Sequence, residues 1–236
     1  MSELKRRRCA CAAALLAAAI LGGCARQGGD ANLAAEVAAL REELGQVKKQ
    51  AQHADDYIAI SNLQRAYGYY TDKALWDQAA DMFSRDATLE IAGRGVFVGN
   101  DRVRQYLKVL PGLAEGTVFL HMQLQPVINI APDGKTANGR WRALTHFGQV
   151  GKRSQMGEGL YENAYVKEDG VWKISKLHYY PTYMVDTRDG WMKPGEGLQG
   201  PFENLPPDRP QTEQFRMYPG FYIPPFSYSN PVSGRR

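Results

Sequence analysis

Between residues 33 and 54, apolar side chains recur at Leu33, Val37, Leu40, Leu44, Val47, Ala51 and Ala54. This 4-3-4-3 spacing marks the seam of a heptad helix. With Val37, Leu44 and Ala51 at a, Glu36 and Glu43 fall at g and Arg41 and Lys48 at the following e positions. Those positions meet with opposite charge in a parallel coiled coil. The seam is short, and Gly45 costs a helix about 1 kcal/mol. Two readings therefore stand: a parallel dimer or trimer, or a single solvated spacer helix about 33 Å long.

The period changes near Asp55. Asp55 or Asp56 is placed to cap a helix running to about Ala74, with Ile60, Leu63, Tyr67 and Tyr70 on one side. A short helix carrying Trp76, Ala79, Ala80 and Phe83 follows. "DATLEIAGRGVFVG" then reads as two short strands around a Gly-Arg-Gly turn, and "NDRVRQYLKVL" as a helix capped by Asn100 or Asp101. Alternation over 117–131, 137–148, 157–168 and 171–180 predicts four longer strands, with turns at "PDGKT" and "EDG". Helices first and a long antiparallel sheet afterwards is an α+β pattern.

Within the second long strand, "RWRALTHFGQ" (residues 140–149) sets Trp141, Ala143 and Phe147 on one face and Arg142, Leu144 and His146 on the other. The mixed second face has three readings: it looks at water, at another subunit or into a polar cavity. Ten of the 13 prolines lie from Pro181 onward, among many aromatic residues. Residues 183–236 are thus an irregular extension, unlike the aromatic-poor composition of a disordered tail. It packs over its own domain or over a partner subunit.

Composition changes this picture mainly at the N-terminus. Lys5, Arg6, Arg7 and Arg8 precede the apolar run "CACAAALLAAAIL" and then "LGGC", Leu21–Cys24. A charged start, a short apolar run and small residues before a cysteine form a secretory leader. The pattern resembles the bacterial lipobox. That implies a leader at 1–23, a lipid on Cys24, a tether and heptad helix at 24–54, and an anchor on the periplasmic side of the bacterial outer membrane. Of 29 basic and 25 acidic residues, removing Lys5, Arg6, Arg7, Arg8 and Glu3 leaves 25 against 24. The basic balance then belongs to the leader and is no argument for a nucleic-acid partner. Cys9 and Cys11 leave with the leader, so neither an internal disulfide nor a cysteine nucleophile is expected. No dinucleotide or phosphate-binding glycine fingerprint and no nucleophile elbow occurs, and the expectation is a site without cofactor.

"YIAISNLQRAYGYYTDKALWDQAADMFSRDATLE" and "YVKEDGVWKISKLHYY" resemble the opening and the closing hairpin of SnoaL-like proteins in the nuclear transport factor 2-like superfamily, over residues 55–182. The resemblance implies a cone: a strongly curved antiparallel sheet around a long helix, with an apolar pocket inside, into which the second face of strand 140–148 would look, with His146 near the pocket floor. In the scytalone dehydratase-like branch, an Asp at the end of the first helix works with two strand histidines. "YYTDKALWD", "FLHMQ" and "ALTHF" supply Asp72, His121 and His146 at matching places. The resemblance implies that Asp72 orients His146 and that His121 exchanges a proton with substrate. Tyrosines expected near Thr71 and Gly93 are absent from those positions, and Tyr161 stands where the family carries an amide. Histidine suits such work because it titrates near neutral pH.

Tyr67, Tyr70, Trp141, Arg142, Leu144 and Tyr161 are the expected substrate-binding residues. Glu90 and Arg142 lie either in the pocket or in ordinary ion pairs. Glu158 and Glu162 are expected in solvent, and His178 to matter little. A metal on Asp72, His121 and His146 is not expected, because no ligand spacing supports one. Together with these residues, the resemblance implies a cofactor-independent lyase of the dehydratase or formaldehyde-releasing retro-aldol type, with a small, largely apolar, aromatic substrate. The alternative is a non-catalytic ligand-binding or assembly lipoprotein.

Overall fold

The structure is a computed structural model that describes the backbone of residues 3–235 and the side chains of residues 31–235. Cys24 and the rest of the lipobox lie outside the residues whose side chains are described. The first helix, α1 (Glu3–Asp72), is continuous. It runs through the expected tether at 25–32 and past Asp55 and Asp56, which therefore cap nothing. Starting a helix costs more than extending one, and no proline interrupts this stretch. Among the described residues, no helix is long and apolar enough to cross a membrane.

The chain divides into two compact units, residues 1–52 and 53–236. In the first, Leu33, Leu40, Leu44 and Val47 are each more than half exposed, so the heptad seam lies open along its helix.

The second unit is built on one six-stranded sheet. Its elements are α2 (Trp76–Asp81), β1 (Phe83–Ile91), β2 (Val96–Val98), α3 (Asn100–Lys108), β3 (Thr117–Ile130), β4 (Thr136–Gln149), β5 (Arg153–Glu168) and β6 (Val171–Asp186). The strand order is β2-β1-β6-β5-β4-β3. All neighbours are antiparallel except β1 and β6. That pair is parallel because the β3–β6 meander returns its last strand beside β1 in the same direction. The α+β cone follows from bends in this sheet. Register shifts lie between Leu124 and Val127 on β3, and next to Gly159 and Tyr165 on β5. Such bulges increase local twist and curve a strand. The apolar core includes Ile60 and Tyr67 of α1, with Phe83, Leu89, Trp141 and Ile174 from the sheet.

Several local expectations are corrected by packing. Phe83 opens β1 rather than ending α2. Gly99 precedes α3, and Asn100 uses its amide to reach the carbonyls of Ala80 and Phe83 at 2.9 and 3.0 Å. Asp56 is buried, and its Oδ1 accepts bonds from Trp172 Nε1 (2.8 Å) and Lys167 Nζ (2.6 Å). A would-be cap thus ties α1 to the closing hairpin.

The extension beyond β6 packs on its own chain. Asp208 accepts from Val98 N at 2.8 Å and pairs with Arg102 at 2.9 Å. Glu90, buried, accepts from the amide and hydroxyl of Thr212 at 2.7 and 2.9 Å. Arg140 donates to the carbonyls of Pro224 and Pro225 at 3.0 and 3.1 Å and lies 3.8 Å over the Phe226 ring. Arg140 also pairs with Glu162, and Arg142 with Glu158. Glu158 and Glu162 are therefore buried, not solvated. Their face of β5 looked polar because its cover comes from an adjacent strand and from residues more than 60 positions away.

Candidate active site

A cavity of about 270 Å³ opens inside the cone. Tyr67 and Thr71 reach it from the last turns of α1, Trp76 from α2, and Phe119 and His121 from β3. Thr145 and Phe147 of β4, Tyr161 of β5 and Tyr179 of β6 complete its inner wall. The extension adds Glu196, Gly197, Gln199 and Met217.

Two glycines make this arrangement possible. A Cβ at Gly68 would lie 2.8 Å from the His121 carbonyl, so glycine lets α1 press against β3 at the site. A Cβ at Gly159 would lie 2.6 Å from the Tyr179 ring, so glycine on β5 leaves that ring its place beside Tyr161. The Tyr161 and Tyr179 centroids are 4.7 Å apart.

His121 is the imidazole of the cavity. Its ring centroid is 4.7 Å from that of Phe119 and 5.0 Å from that of Phe147. Its buried Nδ1 has no hydrogen-bond partner among the described residues. Burial among these rings disfavours the charged form and lowers its pKa from 6.5 to about 4. The ring is therefore neutral at neutral pH. The same burial pushes the Tyr67, Tyr161 and Tyr179 phenols well above their ordinary value, so each remains an O–H donor.

Asp72 takes a different position from the expected one. Its Oδ1 accepts the backbone N–H of His121 at 2.5 Å, fixing the strand rather than an imidazole. No hydrogen bond or ion pair joins it to His146. On β4, His146 faces Leu120 and Met156 across the ladders, whereas its neighbours Thr145 and Phe147 line the cavity. Side chains alternate along a strand, so His146, Leu144 and Arg142 all point away from the cavity. The orientation expected for "RWRALTHFGQ" is thus reversed: its apolar face turns inward.

Of the expected substrate-binding residues, Tyr67 and Tyr161 line the cavity. Tyr70 packs against the core beside it. Trp141 is fully buried, its Nε1 donating to Tyr165 Oη at 2.9 Å, in the core rather than the cavity. Glu90 lies under the extension, not in the cavity. His178, expected to matter little, is buried with Nε2 3.5 Å from Glu90 and its ring stacked 3.9 Å from Tyr180. Thr71, Phe119, Thr145, Phe147 and Tyr179 were missed. For β4 the signal was present, since Trp141, Ala143 and Phe147 already marked the inward face. Among the residues described, no group of histidine, cysteine and carboxylate side chains is arranged to hold a metal ion.

A curved α+β cone with a neutral imidazole inside an aromatic cavity defines a pocket protein of the nuclear transport factor 2-like superfamily. The model of the SnoaL-like domain matches residues 52–178, and the chain belongs to that family. Solved structures share the fold. A scytalone dehydratase candidate from Novosphingobium aromaticivorans DSM 12444 is 21% identical, with 65% of this chain and 97% of that one covered, at a TM-score of 0.54. Hexachlorocyclohexane dehydrochlorinase LinA-type3 from Novosphingobium barchaimii LL02 is 22% identical, over 58% of this chain and 93% of that one, at 0.52. No curated protein matches the sequence.

Proposed function

We propose that the protein is a cofactor-independent lyase acting on a small, apolar, aromatic molecule. The observation that carries this reading is His121: a buried imidazole, neutral at neutral pH, in a cavity walled by aromatic rings. It accepts a proton from a substrate carbon or hydroxyl. The electron pair left behind forms the new double bond as the leaving group departs. Tyrosine O–H groups that burial keeps protonated donate hydrogen bonds to the oxygen on which charge develops. The proton on His121 then passes to the leaving group or to water, which restores the base. Loss of water and release of formaldehyde both fit this scheme. The dehydratase and dehydrochlorinase names among the fold's relatives agree with elimination, and supply no substrate.

Asp72 serves as a positioning residue, holding His121 through its backbone. His146 has no part in this scheme. The test is an untargeted comparison of small molecules incubated with wild-type and His121→Ala protein. A product formed by the wild type alone supports the proposal. Identical profiles from a metabolite mixture that contains ligands retained by the cavity would favour non-catalytic binding.

We further propose that the mature chain begins at Cys24 and is anchored in the bacterial cell envelope, on the periplasmic face of the outer membrane. The order of charged start, apolar run and "LGGC" supports this. Cys24→Ala is expected to abolish fatty-acid labelling and to leave a larger, uncleaved species in fractionated cells. Unchanged labelling and size would exclude the anchor.

The open seam at Leu33, Leu40, Leu44 and Val47, with complementary charges at Glu36–Arg41 and Glu43–Lys48, supports a parallel homo-oligomer. A chain starting at Asp55 is expected to show a lower oligomeric order than one starting at Ala31 in sedimentation at low micromolar concentration. Equal order would make residues 33–54 a single spacer helix.

A further inference from the structure

The Gly93-Arg94-Gly95 turn between β1 and β2 takes no part in the proton transfer, yet the extension is fitted closely to it. A Cβ at Gly93 would lie 2.9 Å from the Gln199 carbonyl, and one at Gly95 would lie 2.6 Å from the Pro207 ring. Gly95 also has φ +86°, a conformation that favours glycine. Two bare backbone positions thus allow residues 199–207 to press onto the turn and set the direction of Arg94.

The Arg94 guanidinium lies 3.6 Å over the centroid of Phe202. Nη1 donates to the Gly200 carbonyl at 3.2 Å, and Nη2 donates to Gln199 Oε1. Both acceptors are neutral, and among the described residues no carboxylate forms an ion pair with Arg94. Arg94 nonetheless lines the same cavity as His121, Tyr106 and Leu110. Arg153 also lines it and likewise has no ion pair among the described residues, whereas the one lining carboxylate, Glu196, accepts from Gln155 Nε2 at 2.7 Å. An aromatic cavity therefore carries a partly buried, oriented cation without an ion-pair partner among the described residues, and its two arginines outnumber its one carboxylate. A guanidinium held this way has donors left over, and its planar fork matches a carboxylate.

We infer that Arg94 is the anchor for a carboxylate on the substrate, whose aromatic body fills the cavity around His121. This rests on the cavity being the substrate site proposed above, and it places one carboxylate on that otherwise apolar, aromatic substrate. Phe202, Gln199 and Gly200 hold the guanidinium in place, so the extension takes part in choosing the substrate.

The test is equilibrium binding of two probes to the full chain: 2-naphthoate, and its neutral isostere 2-naphthamide. Wild type is expected to bind the naphthoate about tenfold tighter or more. Arg94→Gln should remove that preference by weakening the naphthoate alone, with an unchanged melting transition. Arg153→Gln should keep it. If Arg94→Gln does not fold, Arg94→Lys carries the test. It keeps a cation but loses the fork, and should weaken the naphthoate by about threefold or more without affecting the amide.

Equal binding of the two probes, no binding of either, a preference that survives in folded Arg94→Gln, or naphthoate binding unchanged in Arg94→Lys would each overturn the inference. His121→Ala should leave the preference intact. Turnover that survives in His121→Ala would thus defeat the lyase reading while the anion subsite stood.

Discussion

His121→Ala is expected to lower kcat by about 100- to 10,000-fold, the range for losing a general acid–base group, with little change in ligand affinity. Affinity should persist because Trp76, Phe119, Phe147 and the cavity tyrosines remain. The pH profile gives a second, independent readout. Burial lowers the His121 pKa to about 4, so the neutral, proton-accepting form prevails above that pH. The wild-type kcat/KM should be level across neutral pH and fall about tenfold per unit below pH 4. A limb near 6.5 would mean a solvated imidazole and would contradict the site described.

Folding is linked to the same group with a definite sign. The folded pKa lies below the unfolded value of 6.5, so unfolded chains take up this proton first as pH falls. The stability held by the neutral ring is complete above pH 6.5 and is lost down to pH 4. Activity below pH 5 must therefore be measured with the folded fraction known. Asp72→Asn keeps an acceptor for the His121 amide and should cost far less than Asp72→Ala. His146→Ala should leave kcat near wild type. A loss at His146 as large as that at His121 would restore a two-histidine relay and overturn the scheme.

The largest expected loss of stability comes from Glu162→Ala. Glu162 and Arg140 have side-chain exposures of only 9% and 10%. Removing the carboxylate leaves a guanidinium buried against two proline carbonyls and Phe226. Breaking one side of such a pair costs about 3–5 kcal/mol, because the remaining charge loses its compensation. The urea midpoint should fall accordingly, and the Pro224–Phe226 segment should become sensitive to proteases. Arg140→Met combined with Glu162→Leu should recover much of the loss, since neither charge then remains buried. A Glu162→Ala variant within about 0.5 kcal/mol of wild type, the range of ordinary surface substitutions, would show that the pair is solvated.

The long strands were readable from residues 117 to 180 because a half-buried strand alternates, and the family's opening and closing segments identified the cone. Which face of β4 lines the cavity was not readable from polarity. His146 and Arg142 looked like site residues because they are chemically capable, but the inside of this cone is a continuation of its aromatic core. His121 sits among Phe119 and Phe147 for that reason, and it was singled out among the four histidines through the family resemblance carried by "FLHMQ". Asp72 was found by its place at the end of the helix. Its contact, a strand amide instead of an imidazole, depends on how closely Gly68 lets α1 approach β3.

The sequence by itself determined what local periodicity and composition encode, namely the spacing of the heptad seam, the leader pattern and the succession of helices and strands, while the resemblance of its opening and closing segments pointed to the fold. Tertiary structure alone decided which carboxylates are buried, where Asp72 and Glu90 find their partners, and that the Pro-rich extension closes over its own domain. Those outcomes join residues as far apart as Arg140 and Pro224, or Arg94 and Phe202. The free energy of such a contact depends on desolvation and on which groups meet, and neither is encoded in any local stretch of the chain.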